Sequence, residues 1–295
     1  MSDPVIGPLT PEHLDSAFAL SSTASWNQRL ADWHTLLTLA PGGCFAAFSE
    51  GRVVGTAIGV DYGGFAWIAM MLVDPAYRGR GLGRRLLEAA IASVPPDRPI
   101  RLDATPMGRP LYQACGFEDE VMLTRHVADG STRLRTSLPH TFVFRHVRPL
   151  TPDDLPVLAP HDAAVFGGNR GAVLAWVLDG APHYARIVES SDGPISYCLG
   201  REGRLFDQIG PVIAGDDAVA QALVSAALAA AGDRGVALDV FDARVTFTDW
   251  LRACGFRVQR PLYRMRRPGS SELSSIDRPA RSPLGEFAIL GPEFA

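Results

Sequence analysis

Apolar residues come in short blocks along the first 120 positions, cut apart by glycine, proline and acidic residues. Blocks of strand length rich in β-branched and aromatic residues predict strands near Val5 and across residues 44–48, 53–60 and 65–73. Helical spacing predicts helices between residues 11 and 39 and from 81 to 94, where Pro95 and Pro96 stop the run. A further strand at 100–104 leads into a helix at 108–115, closed by Gly116 as a C-cap glycine.

The 65–73 block runs straight into Asp74-Pro75-Ala76-Tyr77-Arg78, then Gly79, Gly81 and Gly83 at alternate positions, then the helix beginning Arg84-Arg85-Leu86-Leu87. Strand, glycine turn and helix start form a phosphate cradle. The first amides of a helix have no internal partner and lie at its positive end. Glycines remove the Cβ atoms that would hold a pyrophosphate off. Two familiar loops do not fit. A P-loop needs Lys and Ser/Thr after its last glycine, where Arg84 and Arg85 stand. A dinucleotide fingerprint needs a third glycine where Arg84 or Leu86 stands, although Asp103 occupies the place of a ribose-binding acid.

Arg78-x-x-Gly81-x-Gly83 resembles the acyl-CoA loop of the GNAT superfamily of N-acyltransferases, whose signature is Gln/Arg-x-x-Gly-x-Gly/Ala. Leu111-Tyr112-Gln113-Ala114-Cys115-Gly116-Phe117 supplies the Tyr-x-x-x-Gly-Phe that family members carry after the next strand. Thr105 stands where the family often has asparagine. The resemblance covers roughly residues 1 to 135.

The chain repeats itself. Pro8-Leu9-Thr10-Pro11 matches Pro149-Leu150-Thr151-Pro152, and Ala114-Cys115-Gly116-Phe117 matches Ala253-Cys254-Gly255-Phe256. Leu102-Asp103 is echoed by Leu238-Asp239. Nearly equal offsets at both ends of a long unit indicate a duplicated domain. The expected fold is α/β (α+β), as two tandem GNAT-like domains. Each is a mixed, mostly antiparallel sheet flanked by helices, with the acyl-CoA domain at 1–138, a degenerate copy at 139–267 and an extended tail at 268–295. In the copy, the loop region 206–217 lacks the glycine pattern, and Asp216 and Asp217 open the next helix. Acids there suit the helix dipole and repel a pyrophosphate. Leu251, beside Trp250, replaces the tyrosine. In the tail, residues 287–290 read either as a late strand or as a disordered end.

Composition narrows the partners. With 47% hydrophobic and 20% charged residues the chain builds a core, and a net charge of −4 without a large basic block argues against nucleic acid. Four dispersed cysteines without C-x-x-C spacing, and seven histidines without ligand spacing, give neither a disulfide frame nor a metal site. No signal-like N-terminus and no run long enough to span a bilayer are present; residues 218–231 read as a core helix. A cytoplasmic protein without membrane, metal or nucleic-acid partners is the expectation, as a monomer or a homodimer.

The resemblance implies that acetyl-CoA is the co-substrate, held in a V between two splayed strands. Backbone groups of Met71, Leu72 and Val73 would meet its pantetheine arm. Gly79, Arg80, Gly81, Leu82, Gly83 and Arg84 would hold its pyrophosphate, with Arg78 opening the loop and Arg85 adding charge. The amine of a small molecule or peptide would attack the thioester directly. An amide near Met71 or Leu72 would stabilise the oxyanion. Tyr112 would protonate the leaving thiolate, since a phenol with pKa ~10 keeps its proton at neutral pH. Cys115 invites a ping-pong reading, but Cys254 holds the same place in the copy without the loop, so one structural role covers both. The general base has no signature: Asp61, Tyr62 and Asp103 lie near the expected site, and the second domain or a water chain are the other sources. Two other functions stay open: an acyl-CoA sensor without chemistry, and a nicotinamide-dependent oxidoreductase.

Overall fold

The computed structural model describes residues 3–130, 147–188, 195–270 and 285–295. It divides into two compact units, one of Met1–Glu120 with Arg264–Ile276 and one of Val121–Tyr263 with Asp277–Ala295. The expected domain boundary at 138/139, and residues 271–284 of the expected tail, lie outside the described residues.

The first unit opens with β1 (Val5–Pro8), then α1 (Leu14–Thr23) and α2 (Leu30–Leu39). Strands β2 (Cys44–Ser49), β3 (Arg52–Asp61) and β4 (Ala66–Val73) follow, each antiparallel to its neighbour, with β1 antiparallel to β2. Helix α3 (Leu82–Ala92) crosses back so that β5 (Ile100–Ala104) lies parallel to β4, and the short α4 (Arg109–Gln113) comes next. The crossover packs α3 on β3, where two glycines let it approach. A Cβ on Gly55 would fall 2.8 Å from Leu86 Cδ1, and one on Gly59 would fall 2.8 Å from the Ala90 carbonyl oxygen. Leu86, Leu87 and Ala90 on that face are fully buried.

The second unit repeats the order. It has β7 (Val147–Pro149), α5 (Leu155–Phe166), α6 (Gly171–Gly180), β8 (Arg186–Val188), β9 (Ser196–Arg201), β10 (Asp207–Ala214), α7 (Asp217–Leu228), β11 (Val236–Phe241) and α8 (Val245–Ala253). The division into units falls inside the last strand of each sequence repeat, at Glu120/Val121 and at Tyr263/Arg264. β6 (Glu118–Ala128), which follows α4, pairs antiparallel with β11, from Val236 opposite Ala128 to Phe241 opposite Leu123. β12 (Arg257–Arg267), which follows α8, is the neighbour of β5.

The two strands repeat one contact. Each carries an arginine that grips the aspartate of the strand beside it. In the first unit Arg264 Nε and Nη2 donate to Asp103 Oδ1 and Oδ2 at 2.9 and 3.0 Å. In the second, Arg125 Nε and Nη2 donate to Asp239 Oδ1 and Oδ2 at 2.7 and 2.6 Å. Both forks are buried, so each charge has its partner and few lone pairs are left over.

His126, beside Arg125 on β6, is fully buried, and neither ring nitrogen has a hydrogen-bond partner among the described residues. Burial, and next the charge of Arg252, pull its pKa below the ordinary histidine value, while Asp242 and Asp239 oppose them. The unfolded chain therefore binds the proton at higher pH than the folded one, and the stability that neutral His126 contributes is lost as pH falls below about 6.5. Urea midpoints from pH 7.5 to 5 are expected to decline less steeply in His126→Leu than in the parent chain.

Candidate functional site

The geometry begins with a bulge in β4. Thr56 pairs with Leu72 and Ile58 with Ala69, so Met70 and Met71 together oppose Ala57. Met70 takes a left-handed backbone (φ +53), uncommon for a side chain of its size, and its carbonyl accepts from Thr56 Oγ1 at 2.7 Å. Beyond the bulge β4 leaves β5, and the two strands pair only at Ala66–Ile100 and Trp67–Arg101. The result is a V. The Asp74 amide donates to Val54 on β3 at 2.9 Å. Strand alternation therefore turns the main chain of Leu72 to β3 and that of Met71 and Val73 to the opening.

The Val-Asp-Pro-x-Tyr segment shapes the turn above. Asp74 Oδ1 accepts from the Ala76 amide at 2.9 Å, Pro75–Tyr77 forms one 3-10 turn, and the buried Tyr77 donates its hydroxyl hydrogen to Ser49 Oγ at 3.0 Å. Gly79 and Gly81 then adopt φ of +74 and +76, with open space where a Cβ would stand. The first helical bond of α3 runs from the Arg85 amide to the Gly81 carbonyl at 3.1 Å. The amides of residues 79 to 84 donate to none of the described residues. Six successive unpartnered N–H groups at the start of an eleven-residue helix make an anion-binding surface.

The arginines are placed unequally. Arg78 Nε donates to the Val73 carbonyl at 2.9 Å, and its Nη1 reaches Met107 Sδ at 3.8 Å, so it bridges the end of β4 and the loop before α4. Arg80 lies 5.8 Å over the Tyr77 ring. Arg84 and Arg85 turn to the Ala114 carbonyl and to Asp3.

Gly83 brings the loop helix against α4, since a Cβ there would sit 3.3 Å from Leu111 Cδ2. Tyr112 follows Leu111. Its ring is buried at 8% exposure, packed edge-on to Phe117 at 6.0 Å, and its hydroxyl has no hydrogen-bond partner among the described residues. Burial, and next the neighbouring Cys115, push the phenol pKa well above its ordinary value. Cys115 is half-buried, and all four cysteines are free thiols. Of the groups considered as a base, Asp103 is enclosed by Arg264, Asp61 accepts from Arg98 and from the Gly63 amide, and Tyr62 is buried.

The same V recurs in the second unit with different contents. Ile209 pairs with Gly200 and Val212 with Cys198, so Gly210 and Pro211 form the bulge where unit one has Met70 and Met71. Pro211 has no amide hydrogen to offer an oxyanion. β10 and β11 pair only at Asp207–Val236 and Gln208–Ala237 before they part. At the helix start, Asp216 Oδ1 already accepts from the Val219 amide at 2.9 Å. The gap itself holds β13 (Gly285–Ile289), antiparallel to both β10 and β11. Of the two readings of residues 287–290, the strand is the one observed. The sequence signalled the lost loop but not its replacement.

Among the described residues no three His, Cys, Asp or Glu side chains are grouped to hold a metal, and no helix is long and apolar enough to cross a membrane. Residues 10–117 match the family model described as "Acetyltransferase (GNAT) family", and residues 159–276 the one described as "Acetyltransferase (GNAT) domain". The chain is 28% identical to the uncharacterized N-acetyltransferase YitH of Bacillus subtilis (strain 168), over 84% of this chain and 86% of that one. It is 25% identical to the holothin acyltransferase of Pseudoalteromonas sp. (strain SANK 73390), over 82% and 80%. In fold it is similar to a Pyrococcus horikoshii protein whose acetyltransferase assignment is provisional (TM-score 0.74, 23% identity, 99% of this chain and 96% of that one). It is also similar to a tandem GNAT protein from the clavulanic acid biosynthesis pathway (TM-score 0.62, 17% identity, 90% and 98%). The chain belongs to the GNAT superfamily of acetyltransferases, with two GNAT domains in tandem.

Proposed function

We infer that the first unit transfers an acetyl or other short acyl group from acyl-CoA to a primary amine. The run of unpartnered amides from Gly79 to Arg84 carries the reading, because it offers donors to a diphosphate at the positive end of α3. The pantetheine arm lies along the open edge of β4, at the main chain of Met71 and Val73. The Leu72 main chain, expected from sequence to share this contact, faces β3 instead. The Met71 amide is the donor for the tetrahedral oxyanion, and Tyr112 is the acid for the thiolate. The loss of loop, amide and tyrosine from the second unit makes it a partner in the fold rather than a second centre.

An alkylammonium acceptor is neutral in only about one molecule in 10³ at pH 7. Attack therefore needs desolvation of the amine or a base. The relative that acylates holothin supports a small-molecule amine as the acceptor class, although a peptide amine meets the same chemistry.

Incubation with acetyl-CoA and a panel of small amines and peptides, read by mass spectrometry, tests the activity. Acetylated amine and free CoA in equal amounts are expected. Tight acetyl-CoA binding with no acetylated product would leave a sensor in place of an enzyme. Gly81→Val tests the cradle. A β-branched residue at φ +76 costs roughly 1–2 kcal/mol in backbone strain and distorts the first turn of α3, so acetyl-CoA affinity is expected to fall tenfold or more. Isothermal titration checks it, and unchanged affinity would remove the loop from the site.

A further inference from the structure

The two units hold the same V, and its occupant differs. In the first unit no described residue pairs with β4 or β5 between their diverging ends. In the second, Val212 of β10 pairs with Ala288 and Ala214 with Gly285, while Asp239 and Val240 of β11 pair with Ile289 and Ala288. We propose that the second opening is a receptor for an extended peptide strand, and that residues 285–295 of this same chain are its built-in ligand, seated where the first unit takes the pantetheine arm. The comparison with pantetheine rests on the acyl-CoA reading above; the strand receptor stands on its own contacts.

Those contacts are specific. Gly210, at the bulge, would place a Cβ 1.9 Å from the Ile289 carbonyl oxygen, so the receptor is cut to admit the strand's main chain. Phe287 is fully buried, edge-on to Phe247 at 5.3 Å and 4.2 Å beneath the Arg244 guanidinium. Beyond the strand, Phe294 packs on Trp176 at 5.0 Å, and Glu293 pairs with the buried Arg201. Arg170 is wholly enclosed by Asp162, Glu286 and Phe166, and donates through Nη1 to the Ala295 main-chain oxygen at 2.6 Å. When a sheet takes up a peptide strand, main-chain bonds give affinity and side-chain pockets give specificity; here the main chain is paired on two sides, and an aromatic pocket and two buried arginines hold the side chains. The ligand class is an extended peptide with an aromatic residue in the strand and an acidic residue past its end.

Hydrogen exchange on the intact chain, with and without acetyl-CoA, tests the proposal. Amides of residues 286–290 are expected to be protected about 10³-fold or more and to open together with β10 and β11. Acetyl-CoA is expected to add protection across residues 71–84 and to leave 207–217 and 285–295 unchanged. Exchange of 285–295 at free-peptide rates beside a protected β10 would overturn the receptor, as would loss of protection there when acetyl-CoA is added. If acetyl-CoA changes nothing anywhere, the acyl-CoA reading of the first unit fails and the strand receptor is judged by protection alone. A second arm weakens the resident strand in the full chain with Phe287→Ala. A fluorescein-labelled peptide of residues 285–295 is expected to bind this variant at least about tenfold more tightly than the parent chain. A peptide with Phe287→Asp is expected not to bind. Equal binding of both peptides would overturn the specificity.

Discussion

Tyr112→Phe is expected to lower the turnover of acyl transfer by about 10²–10⁴-fold, the usual contribution of a positioned general acid, while acetyl-CoA affinity stays within about twofold. In barrier terms this is about 3–5 kcal/mol. The substitution is conservative for packing. The edge-on contact with Phe117 and the tight approach to Gly108, whose added Cβ would meet the ring at 3.1 Å, are ring contacts that phenylalanine keeps. What disappears is one hydroxyl with no hydrogen-bond partner among the described residues. A hydroxyl that holds up nothing in the fold is free to donate to a leaving sulfur. The pH profile gives a second readout. Burial, and next Cys115, raise the phenol's pKa, and in the proposed role the acid form is the active one. An alkaline limb set by Tyr112 must therefore lie above the ordinary tyrosine value of about 10. Stopped initial rates and equilibrium titration separate the two effects. Unchanged turnover would assign the proton to another group or to water. A parallel loss of affinity would mean that the hydroxyl binds cofactor in the ground state.

The first unit was largely legible in the sequence because its chemistry is local. Strand, glycine turn and helix follow one another within residues 65–94, and each signal acts on its neighbours: Asp74 caps the turn it precedes, and Gly81 supplies the left-handed residue at which α3 starts. The tyrosine helix ended at Gly116 for the same reason (φ +84). What escaped was long-range. Nothing in the spacing of residues 118–128 says whether that strand pairs with residues 100–104 or with 236–241, because the repeat gives Asp103 and Asp239 equally suitable arginine partners in Arg264 and Arg125. The bulge at Met70 lies inside an unbroken apolar run and depends on register with β3, which the run does not encode. The strand at 285–289 is short, and only the vacant V beside β10 gives it a place.

Gly210→Ala is expected to destabilise the second unit by roughly 3 kcal/mol or more, toward the upper end of overpacking effects. The added methyl group would fall 1.9 Å from the Ile289 carbonyl oxygen, 2.6 Å from its carbon and 3.1 Å from the Leu290 amide nitrogen. All three are main-chain atoms, so no rotamer change relieves the overlap, and either β10 or β13 has to move. β13 cannot move alone at little cost. Ala288 is paired on both sides, and Phe287, Leu290 and Phe294 are buried around it. Gly215→Ala is the control, since nothing stands within 4 Å of its Cβ position, and it is expected to change stability by less than about 0.5 kcal/mol. Urea unfolding followed by fluorescence, with hydrogen exchange at residues 285–289, reads both variants. A Gly210→Ala chain that unfolds at the parent midpoint would mean that the Ile289 main chain does not occupy the bulge. Early loss of protection confined to β10, β13 and β11 would instead locate the second unit's stability in the strand that fills its cleft.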